Sequence, residues 1–385
     1  MSELVLAIKE LYERDQQLAP KAIKPGDIPI SYEAITPEWL TAILCTQVPG
    51  AHVTGFELDA PDNGSTNRRR IYLKYNEAGR KADLPASVFC KSSHDLQNRM
   101  ILGLSGAAKA ETTFYNQGRP LLDIDAPTAY LATYDPRSFV SIVMLKDMGG
   151  LVEFCNQETP ISLQRAQSQV KLLARLHARF HESRELQTVL APVGTWPEYF
   201  ARCDAGFNMS EYCNVGFLRG EQMIPPSLFK RHAEIWPATL KSVQVHNTLP
   251  RTLMHADVHL KNWFVVKANG EMGLSDWQNI CVGSWSRDFS YAVATALTVE
   301  NRRAWDKELL RFYLDELRRA GGPALGFEEA FKLYRQQLFG ALAWWTITLT
   351  PSPGMPDMQP QAAAVEFIKR ITQAIDDLES LESFD

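Results

Sequence analysis

An α+β fold in two lobes, one small and strand-rich, the other larger and mainly helical, is what this 385-residue sequence predicts. Three observations lead there. The length exceeds what one hydrophobic core usually supports, so two lobes with a cleft between them are the expected organisation. Strand-like patterning runs from Val53 to Leu145 with one helical interruption, and helical spacing then dominates almost to the end. A single island of strand signal, Leu253 to Gln278, interrupts the helical half. The expected division is residues 1–145, an N-terminal extension with the strand-rich lobe, and residues 146–385, mainly helical with a hairpin set into it.

The opening stretch MSELVLAIKELYERD alternates apolar and charged residues at helical spacing. After a Pro/Gly-broken linker, TPEWLTAILC predicts a helix with Thr36 as N-cap and Pro37 in the first helical position. VTGFELDA, RRRIYLKY and LPASVFCKSS, separated by polar turns, read as three strands of an antiparallel meander. SGAAKAETTFYNQ places Ala108, Glu111, Thr112 and Tyr115 on one helical face, and TAYLATYD and SFVSIVML add two strands, the second apolar enough to be central. Beyond KDMGG, Val170, Leu173, Leu176, His177 and Phe180 recur at three- and four-residue spacing in a strongly amphipathic helix. Helices are also predicted over WPEYFARCDAGF, PPSLFKRHAEIWPATLKSVQVH, RAWDKELLRFYLDELRRAGG, GFEEAFKLYRQQLFGALAWWTITL and QAAAVEFIKRITQAIDDLESLE.

Composition narrows the function. A formal net charge of -5 gives no field to attract nucleic acid, and the basic residues are scattered apart from Asn67 to Arg70. Cys45, Cys90, Cys155, Cys203, Cys213 and Cys281 form no C-x-x-C pair, which argues for reduced core thiols rather than a zinc knuckle or a disulfide framework. The N-terminus lacks an apolar signal core, and no stretch approaches the roughly 18 apolar residues of a membrane span. No membrane partner and a cytoplasmic location are therefore expected.

The chemistry gathers in LMHADVHLKNWFVVKANGEMGLSDWQ. An Asn-Gly pair between two short apolar runs signals a hairpin. With Asn269 and Gly270 as its two loop residues, Ala268 pairs with Glu271, Trp263 faces Asp276, and Asn262 lies diagonal to Asp276. Oxygen donors at that spacing are within reach of shared cations and suit Mg²⁺, with Asp257 leaning over the same spot as acceptor for a substrate proton. Two other readings use the same residues. Asn262 and Asp276 can cap turns, and His255, Asp257 and His259, on alternate residues of an extended segment, can form the metal triad of a zinc hydrolase. The other six histidines show no paired ligand spacing, which weighs against zinc.

HADVHLKN followed by LSDWQ resembles the catalytic and metal-binding segments of the aminoglycoside phosphotransferase and choline kinase superfamily, more narrowly its ecdysteroid-kinase-like branch, from about Val53 to Ala294. The resemblance implies a protein-kinase-like fold and transfer of a phosphoryl group from ATP, with Mg²⁺, to a hydroxyl of a small molecule. It makes Asp257 the catalytic base or hydroxyl-orienting residue, Asn262 a ligand of one Mg²⁺, and Asp276 the acid bridging metal ions to the nucleotide. It implies that Lys91 grips the α- and β-phosphates and Glu111 holds Lys91 in place. Gly64, Ser65 and Thr66 would cover the phosphates, and Lys146 and Met148 would lie where main-chain groups read the adenine edge. Asp288 resembles an acid that braces the catalytic loop; taken alone it reads as a helix N-cap. His255 would buttress the same loop. Ala256 stands where these kinases commonly have Gly, a change that an ordinary backbone angle would tolerate. A catalytically weak, nucleotide-binding pseudokinase would share these motifs.

The acceptor is expected to be small, hydroxylated and largely apolar, steroid-like or hydroxyacyl, because Phe200, Phe207, Tyr212, Phe217, Trp344 and Trp345 supply more aromatic than acidic surface. An aminoglycoside would demand many carboxylates, and choline an aromatic cage with an acid. The same aromatics would equally serve as helical core.

Overall fold

The computed structural model describes residues 3–353, 355 and 358–384, so the first two residues of the opening helical stretch lie outside the described residues. The chain splits into two compact units, Met1–Pro120 with Pro127–Gly149, and Leu121–Ala126 with Gly150–Asp385.

In the first unit the meander forms as its alternation requires. Strands β1 (Val53–Leu58), β2 (Asp62–Asn63), β3 (Asn67–Tyr75), β4 (Ser87–Ser92), β5 (Ala129–Tyr134) and β6 (Ser141–Lys146) make one antiparallel sheet in the order β1-β3-β4-β6-β5, with β2 beside β3. The apolar β6 sits inside the sheet, as its composition demands. Ile71, Val88, Cys90, Ile142 and Met144 build the core with Trp39 and Leu40 of helix Pro37–Leu44. Thr36 accepts the Trp39 N–H, so the cap and the first-turn proline act as expected. The helical region before β5 is more broken than its sequence suggests. Leu96–Ser105 is a separate helix, and Gly106, at φ +83°, turns the chain into Ala107–Thr113. Within the latter, Ala108, Glu111 and Thr112 are buried on one face.

The second unit is mainly helical. Its central helix, Ser286–Ala296, is buried at every position, and helices Leu163–Phe180, Val299–Arg319, Phe327–Leu349 and Gln361–Asp377 belong to the same unit. Two sequence expectations change. PPSLFKRHAEIW divides into Pro226–Phe229 and His232–Gln244, and a helix absent from the expectation, Met209–Arg219, follows Trp196–Phe207 directly after Asn208 takes a left-handed conformation. The strand island is also larger than one hairpin. Short strands β7 (Val152–Phe154), β9 (Trp263–Val266) and β10 (Met272–Leu274) form a three-stranded sheet, and β8 (Thr252–Met254) pairs with β11 (Cys281–Gly283). All six cysteines are free and buried. Among the described residues no helix is long and apolar enough to cross a membrane.

Candidate active site

The segment after β8 is anchored before it reaches any reactive group. Asp288, in the first turn of the buried helix, accepts the N–H of His255 at 2.7 Å and of Ala256 at 2.8 Å. Arg287 donates to the Ala256 carbonyl at 2.9 Å, and His177 bridges Asp288 and the Tyr313 hydroxyl. Asp288 lies inside the helix and Trp285 occupies the N-cap position, so the capping alternative does not apply. Burial alone would raise the Asp288 carboxyl; the His177 hydrogen bond and the His255 N–H together reverse this and hold it below the ordinary carboxylate range.

Ala256 does not have the ordinary backbone angle that would make its methyl harmless: its φ is +63°. The left-handed conformation costs an L-residue roughly 1–2 kcal/mol, whereas each hydrogen bond to a charged group contributes roughly 1.5–3 kcal/mol, so the Asp288 pair outweighs the strain. An ordinary buried Ala→Gly change loses about 0.8 kcal/mol of methyl burial and roughly 0.4–1 kcal/mol through the unfolded chain. Strain relief offsets both here. Ala256→Gly is expected to leave the urea midpoint nearly unchanged, in contrast to the loss expected at a buried Ala with negative φ.

Asp257 follows, its side chain 22% exposed. Its Oδ2 accepts from Asn279 Nδ2 at 3.1 Å, and its Oδ1 accepts from the Tyr291 hydroxyl at 3.3 Å. Asn262 donates through Nδ2 to the Asp257 main-chain carbonyl at 2.7 Å, which leaves its amide oxygen as the atom available to a cation. The hairpin holding Asn262 is not closed by a two-residue turn. Trp263 faces Leu274, Val266 pairs with Glu271, and Lys267 to Gly270 form a four-residue loop in which only Gly270 has positive φ. This moves the register by two residues, which keeps every side chain on its expected face because the strand period is two. The Asn262 carbonyl accepts both the N–H and the hydroxyl of Ser275 at 2.8 Å. Asp276, the next residue, turns the chain at φ +64°, a conformation Asp tolerates better than most residues. Two buried tryptophans hold this geometry, Trp263 donating to the Val258 carbonyl and Trp277 to that of Leu274.

The zinc triad is not formed. His255 donates from Nε2 to the Ser275 carbonyl at 2.9 Å and accepts the Asp257 N–H at Nδ1 at 3.2 Å, so neither nitrogen is left for a metal. Among the described residues no three His, Cys, Asp or Glu side chains are grouped to hold an ion. Burial lowers the basicity of both His255 and His259, favouring neutral imidazoles. His259 lies 3.7 Å from Asp257 and packs on Trp345.

In the first unit, Lys91 on β4 and Glu111 on helix Ala107–Thr113 form an ion pair of 2.7 Å, both side chains buried. Such a pair is held by mutual need, since removing either partner strands a charge. Gly64 and Ser65 lie half-buried in the turn after β2, and Thr66 beside them is buried. Lys146 ends β6 with its N–H committed to the Thr128 carbonyl, and Met148 follows half-buried. Of the aromatic set, Phe200, Phe217 and Trp345 are core residues; Phe207, Tyr212 and Trp344 remain partly exposed. Asn279, Tyr291 and Tyr199, which donates to Asn279 at 3.0 Å, were not singled out from sequence. The spacing of Asp288 and Tyr291 held a usable signal, since residues three apart share a helix face.

A braced loop that carries Asp257, a hairpin with Asn262 at its start and Asp276 past its end, and, in the first unit, a strand-to-helix Lys91–Glu111 pair are the features the two units hold. Residues 150–323 match the family described as the phosphotransferase enzyme family, APH. That segment, a little under half of the chain, is similar to the phosphotransferase family; the comparisons do not single out the ecdysteroid-kinase-like branch. No curated protein matches the chain. Among solved structures, a candidate aminoglycoside phosphotransferase from Ralstonia eutropha shares the fold at 14% identity, with 89% of this chain and 97% of that one covered and a TM-score of 0.51. An ethanolamine kinase from Plasmodium vivax matches at 13% identity over 83% of this chain and 81% of that one, TM-score 0.47. An aminoglycoside phosphotransferase from Streptomyces rimosus, in complex with ADP and streptomycin, matches at 14% identity over 72% and 90%, TM-score 0.42.

Proposed function

We propose that the protein transfers the γ-phosphoryl group of ATP to a hydroxyl of a small, largely apolar molecule. The observation behind this reading is the arrangement around Asp257: a part-exposed carboxylate oriented by Asn279 and Tyr291, with its main-chain carbonyl taking the Asn262 amide N–H and so leaving the Asn262 amide oxygen uncommitted to it. Asn262 and Asp276 offer two hard oxygen donors, the kind of partial shell that a cation shared with nucleotide phosphates accepts. A Mg²⁺ ion there would neutralise charge on the phosphates.

The acceptor hydroxyl is oriented by Asp257, its oxygen bonds to the γ-phosphorus, the bond from that phosphorus to the β,γ-bridging oxygen breaks, and ADP leaves. The hydroxyl proton passes to the Asp257 carboxylate. Lys91, fixed by Glu111, supplies positive charge to the α- and β-phosphates. Gly64 and Ser65 approach the phosphates through their backbone, and the connector at Lys146 and Met148 meets the adenine edge.

The apolar acceptor is supported by a partly exposed aromatic surface that runs up to the catalytic residue. Tyr199 and Trp344 lie 6.1 Å apart, and Tyr199 connects through Asn279 to Asp257. Catalysis is favoured over nucleotide binding alone by the exposure of Asp257, which a pure binder would not need. A cytoplasmic setting fits the six free thiols. The test is a metabolite-extract screen with ATP and Mg²⁺, read by mass spectrometry for compounds that gain a phosphoryl group. A product that appears only with ATP and Mg²⁺ is expected; ATP and Mg²⁺ binding with no product across a broad extract would favour the regulator.

A further inference from the structure

The ionised Asp257 carboxylate accepts hydrogen bonds and has none to give, so the Asn279 amide must meet its Oδ2 with nitrogen, as it does at 3.1 Å. The Asn279 amide oxygen then faces the other way. It accepts the Tyr199 hydroxyl at 3.0 Å, and among the described residues these are the only two hydrogen bonds of that amide. Asn279 ends a single 3-10 turn, Trp277–Asn279, and the terminal torsion of an Asn side chain is broad, so local structure does not decide which way the amide points. The tyrosine does. Without its hydroxyl the amide loses the donor that tells its two ends apart, and a turned amide sets its oxygen against the Asp257 carboxylate.

Tyr199 is itself firmly placed. Its helix, Trp196–Phe207, opens with a capping box of Thr195 and Glu198, and its ring stacks on buried Trp196 at 5.9 Å. The start of the helix is tied to β11, where the Gly194 carbonyl accepts the Val282 N–H at 2.9 Å and Thr195 bridges to Val282. Strand β11 pairs with β8 so that Cys281 lies opposite Met254, and the chain runs on from Met254 through His255 and Ala256 to Asp257. Helix and loop therefore share one framework, and the Tyr199 hydroxyl closes the circuit back onto the carboxylate. We propose that Tyr199 is a positioning residue for Asp257, acting through Asn279 to hold the carboxylate in the orientation that addresses the acceptor. This rests on the phosphotransferase reading and adds to it a residue whose effect on rate passes through a second side chain.

The test compares the full chain with Tyr199→Phe, Asn279→Ala and the double variant, each with ATP and Mg²⁺. Two probes serve as acceptor: a panel of hydroxysteroids and hydroxyacyl amides, with phosphorylated product read by mass, and water, read as ADP release. Tyr199→Phe keeps the ring and removes only the donor. It is expected to lower kcat about tenfold, the rate equivalent of one hydrogen bond near the upper end of its usual contribution, with the KM for ATP and for the probe unchanged. Asn279→Ala is expected to lose at least as much. The double variant should be no slower than Asn279→Ala, because a residue that acts through Asn279 then has nothing left to act on. Losses that multiply in the double variant overturn the proposal, as does a Tyr199→Phe chain that keeps its kcat or loses only in KM. Urea unfolding is followed on the same samples, and a fall in kcat matched by a falling folded fraction under assay conditions assigns Tyr199 to stability and overturns the proposal as well. Absence of turnover in the unmodified protein with either probe overturns the phosphotransferase reading and this proposal with it, whereas the other failures leave that reading standing.

Discussion

Asp257→Asn is expected to lower kcat for phosphoryl transfer by roughly 10²–10⁴-fold, the usual contribution of a positioned acid or base, while the protein stays folded. The substitution is nearly isosteric and its neighbours can adapt. With the new amide oxygen towards Asn279 Nδ2, the new amide nitrogen faces the Tyr291 hydroxyl, which can accept in place of donating. Lost is a negatively charged acceptor for the hydroxyl proton. On the proposed reading the KM for ATP should change little, because the residues assigned to the nucleotide, Lys91, Asn262 and Asp276, are not themselves replaced, and a fall in kcat without a matching rise in KM marks an interaction made in the transition state. Initial rates on the acceptor found by the screen, with urea unfolding of the same samples, make the measurement. A variant that keeps more than about a tenth of the rate would show that Asp257 neither takes the proton nor orients the alcohol.

The residues behind this expectation were legible in sequence to different depths, for physical reasons. Asp257, Asn262 and Asp276 stand close together in one segment, and hairpin periodicity keeps their faces even when the turn is misjudged. The two-residue turn was inferred from Asn-Gly chemistry, but Asn269 does not take the positive φ that such a turn needs, and the strands close two residues earlier. The Lys91 and Glu111 contact needed only a strand end and a helix face, both visible as periodicity. The Asn279 and Tyr291 contacts to Asp257 are tertiary, joining a 3-10 turn and a buried helix to the loop, and local pattern says nothing of such meetings. The left-handed angle at Ala256 was hidden for the opposite reason: Ala signals an ordinary conformation, and only the Asp288 hydrogen bonds make the extraordinary one tolerable. Phe200, Phe217 and Trp345 were ambiguous because an aromatic in an amphipathic helix looks the same whether it meets a ligand or a neighbouring helix.

Asp288→Ala is expected to destabilise the fold by about 3–5 kcal/mol, the cost of breaking a buried charged network by deleting one partner. Three groups lose their acceptor together: the N–H of His255, the N–H of Ala256 and the His177 ring. Two unpaired buried N–H groups alone cost roughly 1–3 kcal/mol each, so the loss is of the right size without any contribution from packing. Asp288→Asn keeps one oxygen acceptor but turns an N–H₂ towards the second backbone N–H, and should fall between. The pH dependence separates a brace from a packing residue. The carboxyl is held below its ordinary range in the folded protein, so its stabilisation is present above about pH 4 and lost as acidity carries the pH through the depressed folded value. Urea unfolding followed from pH 7 downwards should therefore show a fall in stability in the unmodified protein that is smaller in Asp288→Ala. Activity under folding conditions should fall with stability restored as well, because without Asp288 the strain at Ala256 has lost its main support and Asp257, the next residue, is no longer held in one place. If Asp288→Ala unfolds at the same urea concentration as the unmodified protein, the loop is shaped by packing alone and the brace has no energetic meaning.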